Sequence, residues 1–369
     1  MSEFEIGRAR RSRRAYTFDE VSVVPSRRTR SAADVSLNWQ IDAYRFAAPL
    51  MTAPTDSVIS PTSAATLADL GVLSVFNAEG LWARYPDAQP YLDEIVSLPE
   101  DKATSRMQQI YTQPIDLDLV KERIAGLGQP GRIVAAAVSP NRAAELAPLI
   151  VSGGADILVI RGTTVSAQHV VSDDEPLNLK SFIGDMDIPV IVGGCANYQS
   201  ALHLMRTGAA GVLVGFGGGA AHRTSNVLGV RVPMATAVAE VAEARRDYLD
   251  ESGGRYVHVL ADGSMGRSGD MVRALACGAD AVVVGSALAR GTDSPGRGMH
   301  WGPEAIHSTL PRGERVHLGT VGTLAEIVNG PSRTADGTMN LSGAMRKAIS
   351  LAGYTDLKEF QRVEVVLGG

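Results

Sequence analysis

The sequence has few cysteines and no long hydrophobic run, and both absences limit what the protein can be. Two cysteines among 369 residues, Cys195 and Cys277, exclude a disulfide framework and are typical of a reducing compartment. No uninterrupted apolar run approaches the roughly 18 residues of a membrane span, and the charged N-terminus has no apolar signal-peptide region. We therefore expect a soluble, cytoplasmic protein without membrane association.

The chain also has little excess charge. Its 35 Lys and Arg residues against 40 Asp and Glu residues give a formal charge of −5, which provides no general attraction to nucleic acid. The basic cluster at 8–14 is expected to form a solvated or flexible arm within residues 1–16. With 45% hydrophobic residues, the chain can bury a large core as one α/β domain or two smaller ones.

Short, almost entirely apolar runs alternate with segments of helical periodicity. They lie at 48–53, 72–76, 133–138, 157–160, 190–192, 211–214, 257–260 and 281–284. Apolar residues on both faces are typical of parallel strands. Gly154, Gly208 and Gly278 each end a helical stretch just before a run, as helix C-caps do. Eight such units favour a closed (β/α)₈ TIM barrel over an open doubly wound sheet, although both classes give this spacing.

Two segments interrupt this alternation. Residues 78–130 are longer than one crossover helix needs, and we expect two or three helices inserted after the second strand. Residues 291–340 are rich in Gly, Pro and Ser, and predict a mobile flap over an active site. The alternative for this flap is a disordered surface loop. The whole chain, 1–369, is interpreted as one barrel domain.

Three glycine-bearing loops follow strands: 215–224, 261–264 and 284–286. Glycine allows close backbone approach or positive φ, so three such loops on one end of a barrel predict a shared phosphorylated ligand. The alternative is that these glycines only form tight turns.

These motifs together resemble those of IMP dehydrogenases and GMP reductases. The resemblance rests on 17–21 (TFDEV), 48–56 (APLMTAPTD), the loop at 215–224, 261–264 (ADGS) and 284–293 (VGSALARGTD), in that order. It covers roughly residues 15–365 and is greatest to the short actinobacterial paralogues that lack the regulatory CBS module. In the dehydrogenases that module follows the second strand, and residues 78–130 are too short to hold it.

The resemblance implies a purine nucleoside monophosphate as ligand and NAD(P) as cofactor. It implies that Asp262 binds the ribose hydroxyls. The implied substrate-binding set is completed by Thr52, Gly217, Gly219, Gly263, Ser264, Gly285 and Ser286. The implied cofactor side consists of Arg161, Gly162, Gly194 and Cys195. Whether a monovalent cation binds to loop carbonyls stays open, and a homotetramer or octamer is expected.

His203, His258, His300 and His307 show no ligand-like clustering, so no metal site is predicted.

The sequence departs from the family where the chemistry takes place. His222 stands in place of the cysteine that attacks the purine, and imidazole is better suited to acid or base chemistry. Ala220 replaces a phosphate-binding serine, Arg161 an aspartate near the nicotinamide, and Arg312 a Gln or Glu beside the leaving group. Thr224 is kept. The catalytic candidates are therefore His222, Thr224 and Arg312.

Cys195 offers an alternative thiolate, against the interpretation of a buried small residue. The sequence predicts a purine nucleotide oxidoreductase with an altered catalytic loop. Two alternatives stay open. One is a nucleotide-binding regulatory or partner protein without redox activity, and the other is an enzyme that modifies an unusual purine-like nucleotide.

Overall fold

Eight short parallel strands form a closed ring at the centre of this computed structural model, which describes residues 3–7, 10–162, 165, 177–215, 218–221 and 224–368. Barrel strands 1 to 8 are Leu50–Thr52, Val75–Asn77, Ala135–Val138, Ile157–Arg161, Val190–Cys195, Gly211–Val214, His258–Asp262 and Ala281–Val284. Strands 2 to 8 pair in sequence order, and strand 8 pairs with strand 1. A parallel bridge between Met51 and Leu73 joins strand 1 to the residues just before strand 2. The predicted (β/α)₈ barrel is confirmed.

The strands are buried on both faces, as their composition predicts. Ile157, Leu158, Val159 and Ile160 follow one another in strand 4 and are all 0% exposed. Successive side chains of a strand point to opposite faces, so this stretch contacts both the barrel interior and the surrounding helices. Each of the eight apolar runs overlaps one barrel strand, although several strands continue one to three residues beyond the run.

Fourteen α-helices lie in the described part of the chain. Helices α1 to α14 are Pro61–Asp69, Gln89–Ser97, Glu100–Ile110, Leu117–Leu127, Ala143–Ser152, Leu179–Gly184, Tyr198–Met205, Thr224–Leu228, Met234–Glu251, Ser268–Ala276, Ser286–Ala289, Leu324–Asn329, Leu341–Leu351 and Leu357–Phe360. Short 3₁₀ helices are Phe18–Glu20, Ala32–Asp34, Leu81–Ala83, Pro140–Arg142 and Pro303–Ala305. None of the helices described is both long and apolar enough to span a bilayer.

The glycines predicted as C-caps lie where helices turn into strands. Gly154, Gly208 and Gly278 have φ of +95°, +99° and +113°, a region that side chains rarely adopt. Two of them begin a Gly-Ala-Asp sequence whose aspartate also has a structural role. The Asp156 and Asp280 carboxylates accept the backbone N–H of Val134 and of Val259, each at 2.8 Å. The repeated motif therefore joins each helix end to the start of the neighbouring strand.

Further strands pair outside the barrel. They are Glu3–Gly7 with Arg10–Arg13, Val21–Val23 with Val365–Leu367, Trp39–Ile41 with Tyr44–Phe46, and Met299–His300 with Val316–His317. The first pair is formed by the basic N-terminal segment, and its Arg13 binds Glu240 of α9, with Nη2 3.0 Å from Oε2. This contact ties the segment to the barrel helices, a connection that its composition does not indicate.

Residues 78–130 and the segment after strand 8 pack on each other. Helices α2 and α3 precede the barrel helix α4, and they form a second apolar cluster with Leu81, Tyr111 and Trp301. Trp301 lies in the flap segment and is 1% exposed. The Arg315 guanidinium also donates to the Ile95 carbonyl at 2.7 Å. The extra helices thus form the surface on which the flap segment rests.

Candidate active site at the carboxyl end of the barrel

Residues that follow strands 1, 4, 6, 7 and 8 meet around one small cavity of about 50 Å³, called the inner cavity below. The carboxyl ends of parallel strands face the same way, so these residues from distant parts of the chain converge. Arg161 and Asp262 form part of the wall. Its other residues are Ala53, Thr55, Gly218, Gly219, Gly263, Ser264, Met265, Val283, Gly285, Ser286 and His300. Seven of the predicted site residues are thereby brought together.

The loop after strand 7 fits closely against the loop after strand 6. A Cβ on Gly215, which has φ +105°, would lie 2.6 Å from the Asp262 carbonyl oxygen, so a side chain is excluded there. Ser264 has φ +60°, and its hydroxyl lies 3.4 Å from the Gly218 carbonyl oxygen that accepts its weak hydrogen bond. Gly215 is therefore required by close backbone approach, beyond forming a turn.

A larger outer cavity of about 670 Å³ opens on the other side of these loops. It shares Gly218, Gly219, Ser264 and Ser286 with the inner cavity. Its volume lies within the usual range for small-molecule sites. The loops that the sequence predicts to hold phosphate thus separate two cavities and offer hydroxyl and backbone groups to both.

The expected ribose-binding carboxylate forms an ion pair. Arg161 Nε lies 2.8 Å from Asp262 Oδ2, and Nη2 lies 3.4 Å from Oδ1. The two side chains are 17% and 12% exposed. Burial alone would lower the pKa of Arg161, but the charge of Asp262, the hydrogen bonds to it and the charge of Glu304 together raise it. Arg161 is therefore held in a salt bridge with Asp262.

Arg312 lies in the flap segment beside Glu304, with Nη2 3.8 Å from Oε1. Both side chains are about one-tenth exposed. The charge of Glu304 also helps to raise the pKa of Arg161, so Glu304 acts electrostatically on both arginines. Arg312 is thus connected to the site through Glu304, which the sequence analysis missed. A lone Glu in a Gly- and Pro-rich segment gave no signal for this role.

Hydrogen bonds from the loop after strand 1 hold two further flap residues. His300 Nδ1 lies 2.8 Å from the Ser57 hydroxyl, and its ring reaches the inner cavity. Trp301 Nε1 donates to the Tyr111 hydroxyl at 3.1 Å, and that hydroxyl donates to Asp56 Oδ2 at 2.5 Å. Trp301 faces the apolar cluster of α2 and α3.

Asp56 lies at the centre of this network. It is 2% exposed, and its Oδ2 also accepts the Leu81 N–H at 2.9 Å. Burial raises the pKa of Asp56 to about 6, although the hydrogen bonds from Tyr111 and Leu81 and the charge of Arg84 oppose the rise. A buried carboxyl group therefore joins strand 1, the extra helices and the flap segment.

Some predicted residues lie away from the cavities. Thr52 is fully buried and its hydroxyl accepts the Val75 N–H at 2.8 Å, so it links strands 1 and 2. From the same loop after strand 1, Thr55 lines the inner cavity. Cys195 is 1% exposed, its thiol lies 3.4 Å from the Leu213 carbonyl oxygen, and burial raises its pKa to about 12. The structure therefore supports the interpretation of Cys195 as a buried small residue, and its thiolate is strongly disfavoured.

The remaining predicted residues do not share one environment. The Gly162 N–H donates to Gly193 at 2.8 Å, and the Gly194 N–H donates to Gly162 at 3.0 Å, so these backbones bind each other. Thr224 is 1% exposed, and within the described ranges its hydroxyl has no hydrogen-bond partner. His222 and Gly217 lie outside the described residues. No cluster of three metal-ligating side chains occurs in the described part.

Comparison with known proteins agrees with this arrangement. The family model described as IMP dehydrogenase / GMP reductase domain matches residues 15–309. The chain belongs to this family. An uncharacterized oxidoreductase of Mycolicibacterium smegmatis is 49% identical over 99% of both chains, and one of Mycobacterium tuberculosis is 48% identical over 99% of this chain and 100% of its own.

Relatives with more specific names are more distant. The inosine-5′-monophosphate dehydrogenase of Thermoplasma acidophilum is 32% identical and covers 62% of this chain, which spans 48% of that enzyme. A crystal structure of an IMP dehydrogenase/GMP reductase-like protein from Corynebacterium glutamicum superposes with a TM-score of 0.94 and 46% identity, covering 99% of this chain and 98% of that one.

Proposed function

We propose that the protein binds a purine nucleoside monophosphate at the carboxyl end of the barrel and acts as a nicotinamide-dependent oxidoreductase on it. The observation that carries the proposal is the convergence of Asp262, Gly263, Ser264, Gly285 and Ser286 around the inner cavity. Ribose and phosphate recognition need a carboxylate beside a group of hydroxyl and backbone donors, and this wall contains both. Family membership and the oxidoreductase names of the relatives support the reaction class.

The phosphate has a defined place in this proposal. Ser264 and Ser286 provide hydroxyl groups, and Gly219, Gly263 and Gly285 allow backbone to approach the phosphate oxygens closely. The family's serine at position 220 is alanine here, so the remaining donors carry the phosphate. We expect purine 5′-monophosphates to bind more tightly than the corresponding nucleosides.

The cofactor side of the described residues is a poor fit for a nicotinamide. Among Arg161, Gly162, Gly194 and Cys195, Arg161 alone contributes to the inner cavity wall, and it is paired with Asp262. The backbones of Gly162 and Gly194 bind each other, and the Cys195 thiol is buried. A nicotinamide dinucleotide would supply the hydride chemistry of the proposed reaction.

His222 changes what the catalytic loop can do. A histidine there cannot form the thioimidate-like adduct that the family's cysteine forms, and an imidazole side chain acts more readily as a general acid or base near pH 7. Thr224, whose hydroxyl is buried at the start of α8, is proposed to position the attacking or leaving group. Arg312, beside Glu304, is proposed to take the place of the family's Gln or Glu.

A second candidate function is nucleotide binding without redox chemistry, as a sensor or partner subunit. The specific observation in its favour is the Arg161–Asp262 ion pair, which occupies both the ribose carboxylate and the expected cofactor side. The protein would then assemble with itself or with a true family enzyme. A homotetramer or octamer stays our prediction for self-assembly, to be measured by light scattering after size exclusion.

Two measurements distinguish these functions. Thermal shift and calorimetry with IMP, XMP, GMP and inosine test nucleotide binding, and absorbance at 340 nm with NAD, NADH or NADPH tests turnover. The redox proposal requires saturable cofactor binding in the presence of a bound nucleotide. Nucleotide binding without any cofactor binding up to millimolar concentration supports the second function. Equal affinity for IMP and inosine contradicts the proposed phosphate site.

The Asp262→Ala variant tests the ribose contact. Losing hydrogen bonds to a charged group should weaken IMP binding by roughly 1–3 kcal/mol. Asp69→Ala is a suitable control, because Asp69 ends α1 and its side chain is 70% exposed in a surface pair with Arg132. An Asp262 variant that binds IMP as the unmodified protein does would remove Asp262 from the site.

A further inference from the structure

Arg161 crosses the mouth of the barrel. It ends strand 4, Asp262 ends strand 7, and strands 5 and 6 lie between them. The guanidinium nevertheless contacts both carboxylate oxygens, at 2.8 and 3.4 Å. Both side chains are mostly buried, so solvent screens this charged contact less than it would at the surface. The two oxygens that a ribose diol needs as acceptors are already bound by one side chain.

Removing Arg161 from Asp262 without a replacement would be costly, because an unpaired buried charge is strongly unfavourable. Glu304 provides the replacement. It is 8% exposed, lies in the flap segment, and already acts electrostatically on Arg161. Arg312 Nη2 lies 3.8 Å from Glu304 Oε1. Arg161 is therefore paired with one acidic group on the barrel, Asp262, and is acted on electrostatically by a second acidic group, Glu304, on the flap.

We propose that Arg161 competes with the ribose for Asp262, so that a ribonucleotide binds by moving the guanidinium from Asp262 toward Glu304. This inference rests on the proposed nucleotide site and makes Arg161 a specificity-determining residue. A nucleotide with both ribose hydroxyls can replace the two hydrogen bonds that Asp262 loses. A nucleotide without them cannot, and leaves Arg161 where it is.

The exchange also connects ribose recognition to the flap. Once freed from Asp262, Arg161 pairs with Glu304 and holds that part of the flap over the barrel mouth. The free-energy cost of displacing Arg161 offsets part of the free energy that the ribose diol gains by binding Asp262. Its preference for ribonucleotides over dideoxynucleotides is accordingly smaller than Asp262 alone would provide.

The Arg161→Met variant tests this competition. Methionine retains most of the length of the side chain and removes the charge. We would measure IMP and 2′,3′-dideoxy-IMP binding by calorimetry, and compare the ratio of their dissociation constants between variants. The ratio cancels the general loss of positive charge, which affects both ligands alike. With the competitor removed, we expect the preference for IMP to rise about tenfold or more, the value of one charge-assisted hydrogen bond.

Arg206→Met is the matched control. Arg206 also makes a bidentate pair, with Glu251 at 2.8 and 2.7 Å, but on the outer helices. For Arg206→Met, the ratio of the dissociation constants for IMP and 2′,3′-dideoxy-IMP should equal that of the unmodified protein. Arg161→Lys keeps the charge without the planar fork, so its ratio should lie between those of the Arg and Met forms. This second variant keeps the test decisive if Arg161→Met does not fold.

The flap contact is tested by Glu304→Gln in both backgrounds. If Glu304 receives Arg161, this change should weaken IMP binding when Arg161 is present and have a smaller effect in Arg161→Met. Equal effects in both backgrounds would mean a purely structural role for Glu304 and would overturn the exchange.

The outcomes separate this inference from the function on which it rests. Stronger preference for IMP in Arg161→Met, including binding that the unmodified protein lacks, supports the competition. An unchanged or smaller preference, with IMP still bound, overturns the competition and leaves the nucleotide site standing. Absence of IMP and GMP binding in every variant overturns both.

Discussion

Replacing Asp56 by asparagine should make the protein's stability less dependent on pH. Asp56 is buried between strand 1, the extra helices and the flap segment, and its folded-state pKa is about 6 against an ordinary value of 3.8. A raised folded pKa means that the protonated form is favoured by folding. The stabilising contribution of Asp56 is therefore complete below about pH 4 and is lost as pH rises through about 6.

The size of the effect follows from the two pKa values. Their difference corresponds to about 3 kcal/mol between the protonated and ionised limits. Asparagine has nearly the same shape, cannot ionise, and keeps an oxygen that accepts from Tyr111 and Leu81. The free energy of unfolding of Asp56→Asn, minus that of the unmodified protein, should rise by up to about 3 kcal/mol between pH 4 and pH 7.

Urea unfolding followed by tryptophan fluorescence at several pH values from 4 to 7.5 measures this difference. Asp69→Asn is the control, because Asp69 is solvent-exposed and its difference should stay within about 0.5 kcal/mol. If the free energy of unfolding of Asp56→Asn relative to that of the unmodified protein does not change with pH, or falls as pH rises, the reasoning is refuted. Either result would mean that Tyr111, Leu81 and Arg84 stabilise the charge more than burial opposes it.

Three further predictions concern other parts of the fold. Asp280→Asn should lower the free energy of unfolding by about 3–5 kcal/mol, because it leaves the buried Arg245 guanidinium 2.9 Å away without its charge partner. Burial opposes ionisation of Asp280, but Arg245 and Lys358 lower its pKa to about 2. The contribution of Asp280 to the free energy of unfolding should therefore be present above about pH 4 and be lost on acidification toward pH 2, as urea titrations would measure. Cysteine-trapping nucleotide analogues should leave Cys195 unlabelled in mass spectrometry, and labelling abolished by Cys195→Ser would contradict its burial. Amide hydrogen exchange across 294–315 should slow when a purine monophosphate binds, and unchanged exchange at saturation would remove the flap from the site.

The barrel could be predicted from the sequence because its strands need apolar residues on both faces. Strand 4, with four successive fully buried residues, shows why such a run differs from an amphipathic one. The Gly-Ala-Asp sequences were equally informative, since a helix that turns directly into a strand needs the positive φ of Gly154 and Gly278. Strand ends were less certain, because strands 5 and 7 continue beyond the apolar runs into glycine or polar residues.

The flap was predicted only as a segment. Its Gly and Pro content indicated irregular structure, but nothing local showed which of its side chains face the barrel. His300 reaches the inner cavity, whereas its neighbour Trp301 packs against Tyr111 and the extra helices. Consecutive residues of an extended chain point to opposite sides, so one of the pair had to face away from the site.

The pairing of Arg161 with Asp262 was beyond local sequence reasoning for a different reason. The two residues are 101 positions apart, and their contact depends on the curvature of a closed barrel. The motif around Asp262 is intact, and by itself it indicates a carboxylate free to bind ribose. Arginine at position 161, on another strand, places a guanidinium against that unchanged carboxylate. In barrel enzymes of this kind, a motif residue therefore keeps its inferred role only if the residues facing it across the mouth are also compatible, and here Arg161 is the residue that must be tested first.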